Sequence, residues 1–340
     1  MEITYQEFDL KLKSTFKTAH SQRDVQKTII VSLRQDGHTG YGEVTVNTYF
    51  GITYAALVAD LKRAAEELAG YRLSAPEDLH HHIANNIAIG SFPLCAIDEA
   101  AYDWYGKKHG VTTREYIGHT NQPVPMTDYT IGIAPVEEMV AKMAAMPWPL
   151  YKIKLGTKND IEIIRALRQQ TEAVFRVDAN CGWTADETIA NATELQQLGV
   201  EFIEQPLDPD DWQGMKKVYK NSVLPVIADE ACLVEGDVDK CAGYFHGINI
   251  KLTKCGGITP ARRMIDRART LGMQVMAGCM TESSVGISAV TQLAPLLDHL
   301  DADGTLLITN DPATGVTFDN GRIIYPAKPG NGVALGLGPA

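Results

Sequence analysis

Hydrophobic and polar positions follow one rhythm up to about residue 120 and another beyond it. In the first part, "TIIVSLRQDGHTGYGEV" places an apolar run, Asp36-Gly37 and a second run from Tyr41 to Val44 in succession, which predicts a β-hairpin. "YAALVADLKRAAEELAG", "APEDLHHHIANNIA" and "PLCAIDEAAYDWYGKKHG" carry apolar residues three and four apart, so each predicts an amphipathic helix. Two of these runs stop at glycine. Strands followed by helices make an α+β module.

From Pro123 onward, short apolar runs alternate with helical ones. The predicted strands are "VPMTDYTIGI", "YKIKL", "FRVDAN", "EFIEQP", "PVIADE", "GINIKL", "QVMAGCM" and "DGTLLI". Between them fall helical patterns such as "PVEEMVAKMAAM", "NDIEIIRALRQQT", "TADETIANATELQQLG" and "TPARRMIDRARTLG". This alternation implies right-handed βαβ units and a parallel sheet. Eight such strands suit an α/β fold closed into a (β/α) barrel. A doubly wound open sheet is the alternative, but its G-x-G-x-x-G turn is absent; "LGLGPA" at the C-terminus precedes no helix. The Gly- and Pro-rich end, after two short strand-like runs, is expected to return to the N-terminal module. The expected division is a capping module at 1–120, joined by 321–340, and a barrel at 121–320.

Composition narrows the partners. The chain has 340 residues, 45% hydrophobic and 21% charged, enough for a large core. Its formal net charge is -11, with 42 acidic against 31 basic residues and no basic tract. That balance argues against nucleic acid and anionic membranes, yet permits a small anion held by a few local lysines. No apolar run is long enough to span a bilayer, and "MEITYQEFDLKLK" lacks the parts of a signal peptide. The six cysteines show neither C-x-x-C nor zinc spacing, so free thiols in the cytoplasm are expected.

The predicted strands end in polar residues, one after another. "YKIKLG" carries Lys152 and Lys154, which share one strand face while Ile153 takes the other. Asp178-Ala179-Asn180, Glu204-Gln205, Asp229-Glu230, Lys251, Met280-Thr281-Glu282 and Asp301-x-Asp303 follow at or near later strand ends. In a barrel enzyme those ends form the active site. Asp178, Glu204 and Asp229, on consecutive strands and without histidine or cysteine, suit a hard cation such as magnesium. Lys154 and Lys251 fall on opposite sides of an eight-stranded ring, with that trio between them. A substrate carboxylate on the metal would present its α-carbon to one lysine on each face, an arrangement for removing a proton from one side and returning it on the other. Lys152 and the metal would stabilise the enediolate formed between the two steps. Neighbouring positive charge and burial are both expected to lower lysine pKa values, freeing one as a base. The competing reading makes Lys152 and Lys154 structural counter-ions of the acids.

The ordered set K-x-K, "DAN.GW", "EQP", "ADE", "NIKLTKCGG" and D-x-D resembles the enolase superfamily over nearly the whole chain. Within it the muconate lactonizing subgroup is most similar, and there the dipeptide epimerases that include L-Ala-D/L-Glu epimerase. The resemblance implies a modified TIM barrel, (β/α)7β, with an α+β N-terminal capping domain. It implies Mg2+ on Asp178, Glu204 and Asp229, with Lys154 and Lys251 as the acid/base pair and Lys254 only a companion. Asp301 and Asp303, taken to share a strand face, would hold a dipeptide's ammonium group; a second metal or a solvent-exposed turn are the rivals. Arg23, in the polar loop "TAHSQRDVQK", resembles the arginine that holds a glutamate side chain, and Thr130 matches a site threonine. Cys181 departs from the motif, which often has glycine or glutamine there. The implied reaction is epimerisation of the C-terminal residue of L-Ala-D/L-Glu or a similar dipeptide from cell-wall peptide turnover, by a homo-oligomer. Rival readings are a muconate cycloisomerase or o-succinylbenzoate synthase, a Schiff-base aldolase, and a non-catalytic binding protein on the same frame. "HHH" at His80 to His82 reads as an exposed helix, and the serines of "TESS" lack the partnered histidine of a hydrolase.

Overall fold

A computed structural model of the chain describes residues 1–18, 22–118 and 122–336. Three antiparallel strands open it: β1 (Glu2–Lys17), β2 (Gln22–Gln35) and β3 (His38–Thr45), in the order β1-β2-β3. Gln35 pairs with His38 across the predicted hairpin turn, where Asp36 and Gly37 have φ of 51° and 77°. Both central residues therefore adopt the left-handed conformation of a type I′ turn, which Asp-Gly tolerates well. Helices α1 (Tyr54–Glu67), α2 (Pro76–Asn86) and α3 (Ser91–His109) follow, and their apolar faces meet Ile29, Val31 and Leu33 of the sheet. The strand β1 was not anticipated. Most of its residues are exposed or half-exposed, so the alternation that marks a half-buried strand is faint.

Eight parallel strands then form one sheet in chain order: β4 (Tyr129–Ile131), β5 (Leu150–Lys154), β6 (Val174–Asp178), β7 (Val200–Glu204), β8 (Val226–Ala228), β9 (Gly247–Lys251), β10 (Gln274–Gly278) and β11 (His299–Asp301). The ring nearly closes: Thr127 forms a parallel bridge with Leu300, and its hydroxyl accepts from the Ala302 N–H at 2.8 Å. Outward residues such as Ile153, Val177, Ile203, Ile250 and Val275 join a continuous core with Ile164, Leu195, Val218 and Met264 of the surrounding helices. Inside the ring, Phe202, Ile227 and Met276 form a small apolar plug. Arg176 crosses that interior to Asp128, 3.0 Å away. The interior is thus packed, and its open end carries the polar residues.

Two expectations are corrected. The run "DGTLLI" is not the eighth strand: β11 ends at Asp301, and Gly304–Leu307 is a turn of helix. Three residues of strand give too short an alternation to locate it. His80 is also not exposed, since α2 turns it toward the barrel, where only 7% of it meets solvent.

Buried carboxylates join the capping module to the barrel. Asp98 of α3 accepts from the Thr259 N–H at 2.9 Å and its hydroxyl at 2.8 Å, at the start of the helix Ile258–Thr270. Glu43 of β3 accepts from the N–H groups of Ser283 (3.1 Å) and Gly286 (3.0 Å) and from the Ser283 hydroxyl (2.6 Å), at the start of the helix Ser284–Thr291. Each acid satisfies amides that a helix start leaves unpaired and faces the positive end of its dipole. The chain end returns to the same place, where the Asn331 N–H donates to Asp103 at 2.8 Å.

Burial pushes the Asp98 carboxyl up to about 7. Burial, with Glu43 nearby, pushes Glu282 up to about 8. In an unfolded chain both release their protons near pH 4. The folded form holds those protons longer, so their contribution is full in acid and is lost as pH rises through about 7 to 8. The unfolding temperature is therefore expected to fall as pH rises from about 4 to about 8 and to level off above. Asp98→Asn should flatten part of that fall in scanning calorimetry; an unchanged slope would contradict this role of Asp98.

Candidate active site

The register of the barrel sets the site. Lys154 pairs with Asp178 across β5 and β6, and Asp178 with Glu204 across β6 and β7, so the three stand at one level. Asp229 follows β8 at the next position around the ring. One oxygen from each of Asp178, Glu204 and Asp229 can be chosen so that all lie within 4.8 Å of one another, and all three residues are buried. Glu204 Oε2 is closed off from solvent and makes no hydrogen bond, although Lys152 Nζ is 2.8 Å away. A buried oxygen trio with unspent acceptor capacity fits a hard divalent cation such as magnesium.

Lysines interleave with these acids. Lys152, 1% exposed, lies 2.7 Å from Asp301, 2.8 Å from Glu204 and 3.5 Å from Asp178. Lys154 bonds Asp178 Oδ2 at 2.6 Å, and Lys251 bonds Asp229 Oδ2 at 2.7 Å. Lys254 donates at 2.6 Å to both Asp229 Oδ1 and the Asp229 carbonyl, and also reaches the Cys232 and Asn249 carbonyls. It faces protein on every side and is a brace for Asp229. Lys152, Lys154 and Lys251 line one cavity, together with Arg23, Thr130, Asp301 and Asp303.

The expected lowering of the lysines is not what the carboxylates produce. Burial does push Lys152 down, but Asp301, Glu204 and Asp178 together outweigh it and hold it well above its ordinary value. Burial likewise lowers Lys251, but Asp229, Glu204 and Glu230 together outweigh it and raise it. The acids respond in kind. Burial raises Asp178 and Asp229, yet Lys154 and Lys152 bring the first below its ordinary range, and Lys251 and Lys254 bring the second far below. Glu204 stays raised because burial dominates. A cation on the trio would compete with the lysines for these same oxygens.

Asp301 and Asp303 both face the cavity, though by a different geometry from strand alternation. Asp303 has left the strand, with φ -88° and ψ 4°, and stands just before the short helix that follows, without a side-chain bond to it. Its Oδ2 accepts from the Thr130 N–H at 2.6 Å. Asp301 is already engaged by Lys152, which leaves Asp303 the less neutralised of the two; burial and Asp301 raise its pKa. Cys279 completes a second cluster with them, but its thiol is a poor match for a hard cation. Arg23 donates to the Thr281 hydroxyl at 3.0 Å, while its Nε is closed off without a partner. No carboxylate pairs with Arg23 among the described residues; 19–21 of its loop lie outside them.

Some site residues had no assigned role in the sequence. Asn249 donates to Glu204 Oε1 at 2.8 Å, and its place two residues before Lys251 is the alternation signal that could have found it. Gly278 leaves room for that amide: a Cβ there would sit 2.7 Å from Asn249 Oδ1. Gln205 accepts from the Asp229 and Ala231 N–H groups, fixing the β8 end. Asn180, Cys181 and Gln205 hold φ of 44°, 64° and 32°, conformations that cost non-glycine residues of order 1 kcal/mol or more and gather where side chains must be aimed. Cys181 is thus a bent strand end that removes no acid from the trio.

The fold and site define a class. Residues 135–336 match the family described as enolase C-terminal domain-like, and residues 2–118 match the mandelate racemase / muconate lactonizing enzyme N-terminal domain. The chain belongs to this enolase-type family. It is 51% identical to an L-Ala-D/L-amino acid epimerase of Maribacter sp., over 98% of this chain and 99% of that one. It is 49% identical to an L-Ala-D/L-amino acid epimerase of Flavobacterium johnsoniae, over 98% and 100%. The crystal structure of a dipeptide epimerase from Enterococcus faecalis, complexed with Mg and the dipeptide L-Leu-L-Tyr, superimposes with a TM-score of 0.92 at 28% identity, covering 98% of this chain and 99% of that one.

If the trio is the cation site, Asp178→Asn should weaken Mn2+ binding by about a hundredfold, since even indirect partners of a metal cost 10- to 100-fold. Isothermal titration calorimetry reads this directly. Unchanged affinity would remove Asp178 from the site.

Proposed function

We propose that the chain is a magnesium-dependent dipeptide epimerase that inverts the C-terminal residue of L-Ala-D/L-Glu and similar dipeptides by 1,1-proton transfer. One observation carries the proposal: Lys154 on β5 and Lys251 on β9 face a single cavity from opposite sides of an eight-stranded ring, with three buried acids between them. Lys154 and Lys251 are the two bases. One takes the α-proton as the C–H bond breaks, and the electron pair passes into the substrate carboxylate. The other delivers a proton to the opposite face, so the configuration inverts and no atom is gained or lost. Magnesium held by Asp178, Glu204 and Asp229 would supply positive charge that stabilises the charged carboxylate. Lys152 adds a fixed ammonium group beside it.

The same cavity supports a dipeptide. The substrate ammonium meets Asp303 and Asp301, held by Thr130 and Lys152. The Arg23 guanidinium, without a carboxylate partner among the described residues, suits an acidic C-terminal side chain. Phe16, Phe50 and Met280 in the same wall admit apolar residues too, in keeping with the broad amino-acid range in the relatives' names. A muconate cycloisomerase or o-succinylbenzoate synthase would leave the two aspartates without an ammonium to meet. The proposed setting is cell-wall peptide turnover in the cytoplasm, by a homo-oligomer; no helix among the described residues is long and apolar enough to cross a membrane.

Chromatographic separation of the diastereomers tests these roles. Lys154→Ala and Lys251→Ala should each abolish epimerisation, with at least one retaining exchange on a single diastereomer. Full activity in either would end the two-base assignment. Arg23→Met should lower kcat/KM for L-Ala-L-Glu by about ten- to a hundredfold, as loss of a charge-assisted pair does, and leave L-Ala-L-Leu little changed. Equal losses on both would take Arg23 out of specificity.

A further inference from the structure

The two lysines that face the cavity are supported differently. Lys154 holds Asp178, and the next residue is Ala179, which is apolar. Lys251 holds Asp229, and the next residue is Glu230, a second carboxylate on the cavity wall. Glu230 Oε2 is shut off from solvent and makes no hydrogen bond. A buried carboxylate oxygen left unpaired is destabilising, so its placement calls for a partner. We propose that Glu230 is a positioning residue for Lys251 and not for Lys154, so that the two faces of the substrate's α-carbon are served by unequally anchored bases.

Asp229 explains why a second anchor is needed. Its Oδ1 and its carbonyl are both held at 2.6 Å by Lys254, so Oδ2 is the oxygen that would remain for a cation. That is also the oxygen Lys251 holds, and its one carboxylate bond among the described residues. With Oδ2 shared with a cation, Lys251 would need a further acceptor, and Glu230, outside the acid trio, keeps an oxygen without a hydrogen bond. Glu230 follows Asp229 directly, and strands β8 and β9 run side by side in register, Ala228 opposite Ile248. The two charges already act on each other: Glu230 raises Lys251, and Lys251 opposes the rise that burial gives Glu230. The neighbouring Asp229 and Asp178 raise Glu230 further, and Lys254 opposes them.

This inference rests on the epimerase reading of the site, and its test separates the two. Glu230→Gln and Glu230→Asp are compared with the unaltered protein in D2O with Mg2+, starting from L-Ala-L-Glu and, separately, from L-Ala-D-Glu. Initial deuterium incorporation at the glutamyl α-carbon is read by proton NMR, and Mn2+ affinity by calorimetry. Glu230→Gln should slow exchange about ten- to a hundredfold from one diastereomer and leave the other within about twofold, as loss of alignment of one of two bases would. Mn2+ affinity should not change, and Glu230→Asp should recover part of the loss on the same diastereomer. Equal slowing from both diastereomers, no slowing, or a tenfold loss of Mn2+ affinity would each overturn the proposal. If Glu230→Gln fails to fold, the same one-sided loss is required of Glu230→Asp. Absence of exchange in the unaltered protein would instead bring down the epimerase reading, and this proposal with it.

Discussion

Charge buried at the mouth of the barrel has to be neutralised where it stands, and the rest of the site follows from that requirement. An isolated ammonium or carboxylate removed from water costs several kcal/mol, and close opposite charges with full hydrogen bonding offset it. Here the offset is built by alternation around the ring: Lys154 against Asp178, Lys152 among Asp178, Glu204 and Asp301, and Lys251 and Lys254 on either side of Asp229. Each group is held by at least one neighbour on another strand. The arrangement is therefore fixed before any substrate arrives, which is what proton transfer between positioned groups requires.

The ring converts this balance into two-sided access. Parallel strands in sequence order bring β5 and β9 to opposite walls, and their lysines to opposite sides of whatever lies on the acid trio. The capping module closes the remaining side. Phe16, Arg23, Asn47, Tyr49 and Phe50 reach the cavity from it. Its own attachment depends on Asp98 and Glu43, which satisfy the starts of two barrel helices. Ser283, whose hydroxyl bonds Glu43, belongs to that junction and not to any nucleophilic site.

Much of this was legible in the sequence. Period-two alternation put Lys152 with Lys154 on one face and Ile153 on the other, and the acids at successive strand ends appeared in the order in which they converge. Asp36-Gly37 marked its turn because few other pairs accept two left-handed residues. Other features depended on sums that one strand does not contain. The protonation of Lys152 is decided by Asp301, Glu204 and Asp178 from three other strands. The three-residue strand β11 was too short to show a pattern, so its position was misread, and Asp303 reached the cavity through a turn. His80 looked exposed because its burial comes from the barrel and not from its own helix. Asn249 acquires meaning only when Glu204 is seen beside it.

In the proposed reaction one α-carbon is deprotonated on one face and reprotonated on the other. Proton NMR of the purified protein in D2O with Mg2+ and L-Ala-L-Glu tests it most directly. The glutamyl α-proton signal should disappear while L-Ala-D-Glu carrying deuterium at that carbon accumulates, and chelation of the metal should stop both. Retention of the α-proton by L-Ala-L-Glu and by a broad panel of other dipeptides, with magnesium present, would contradict it.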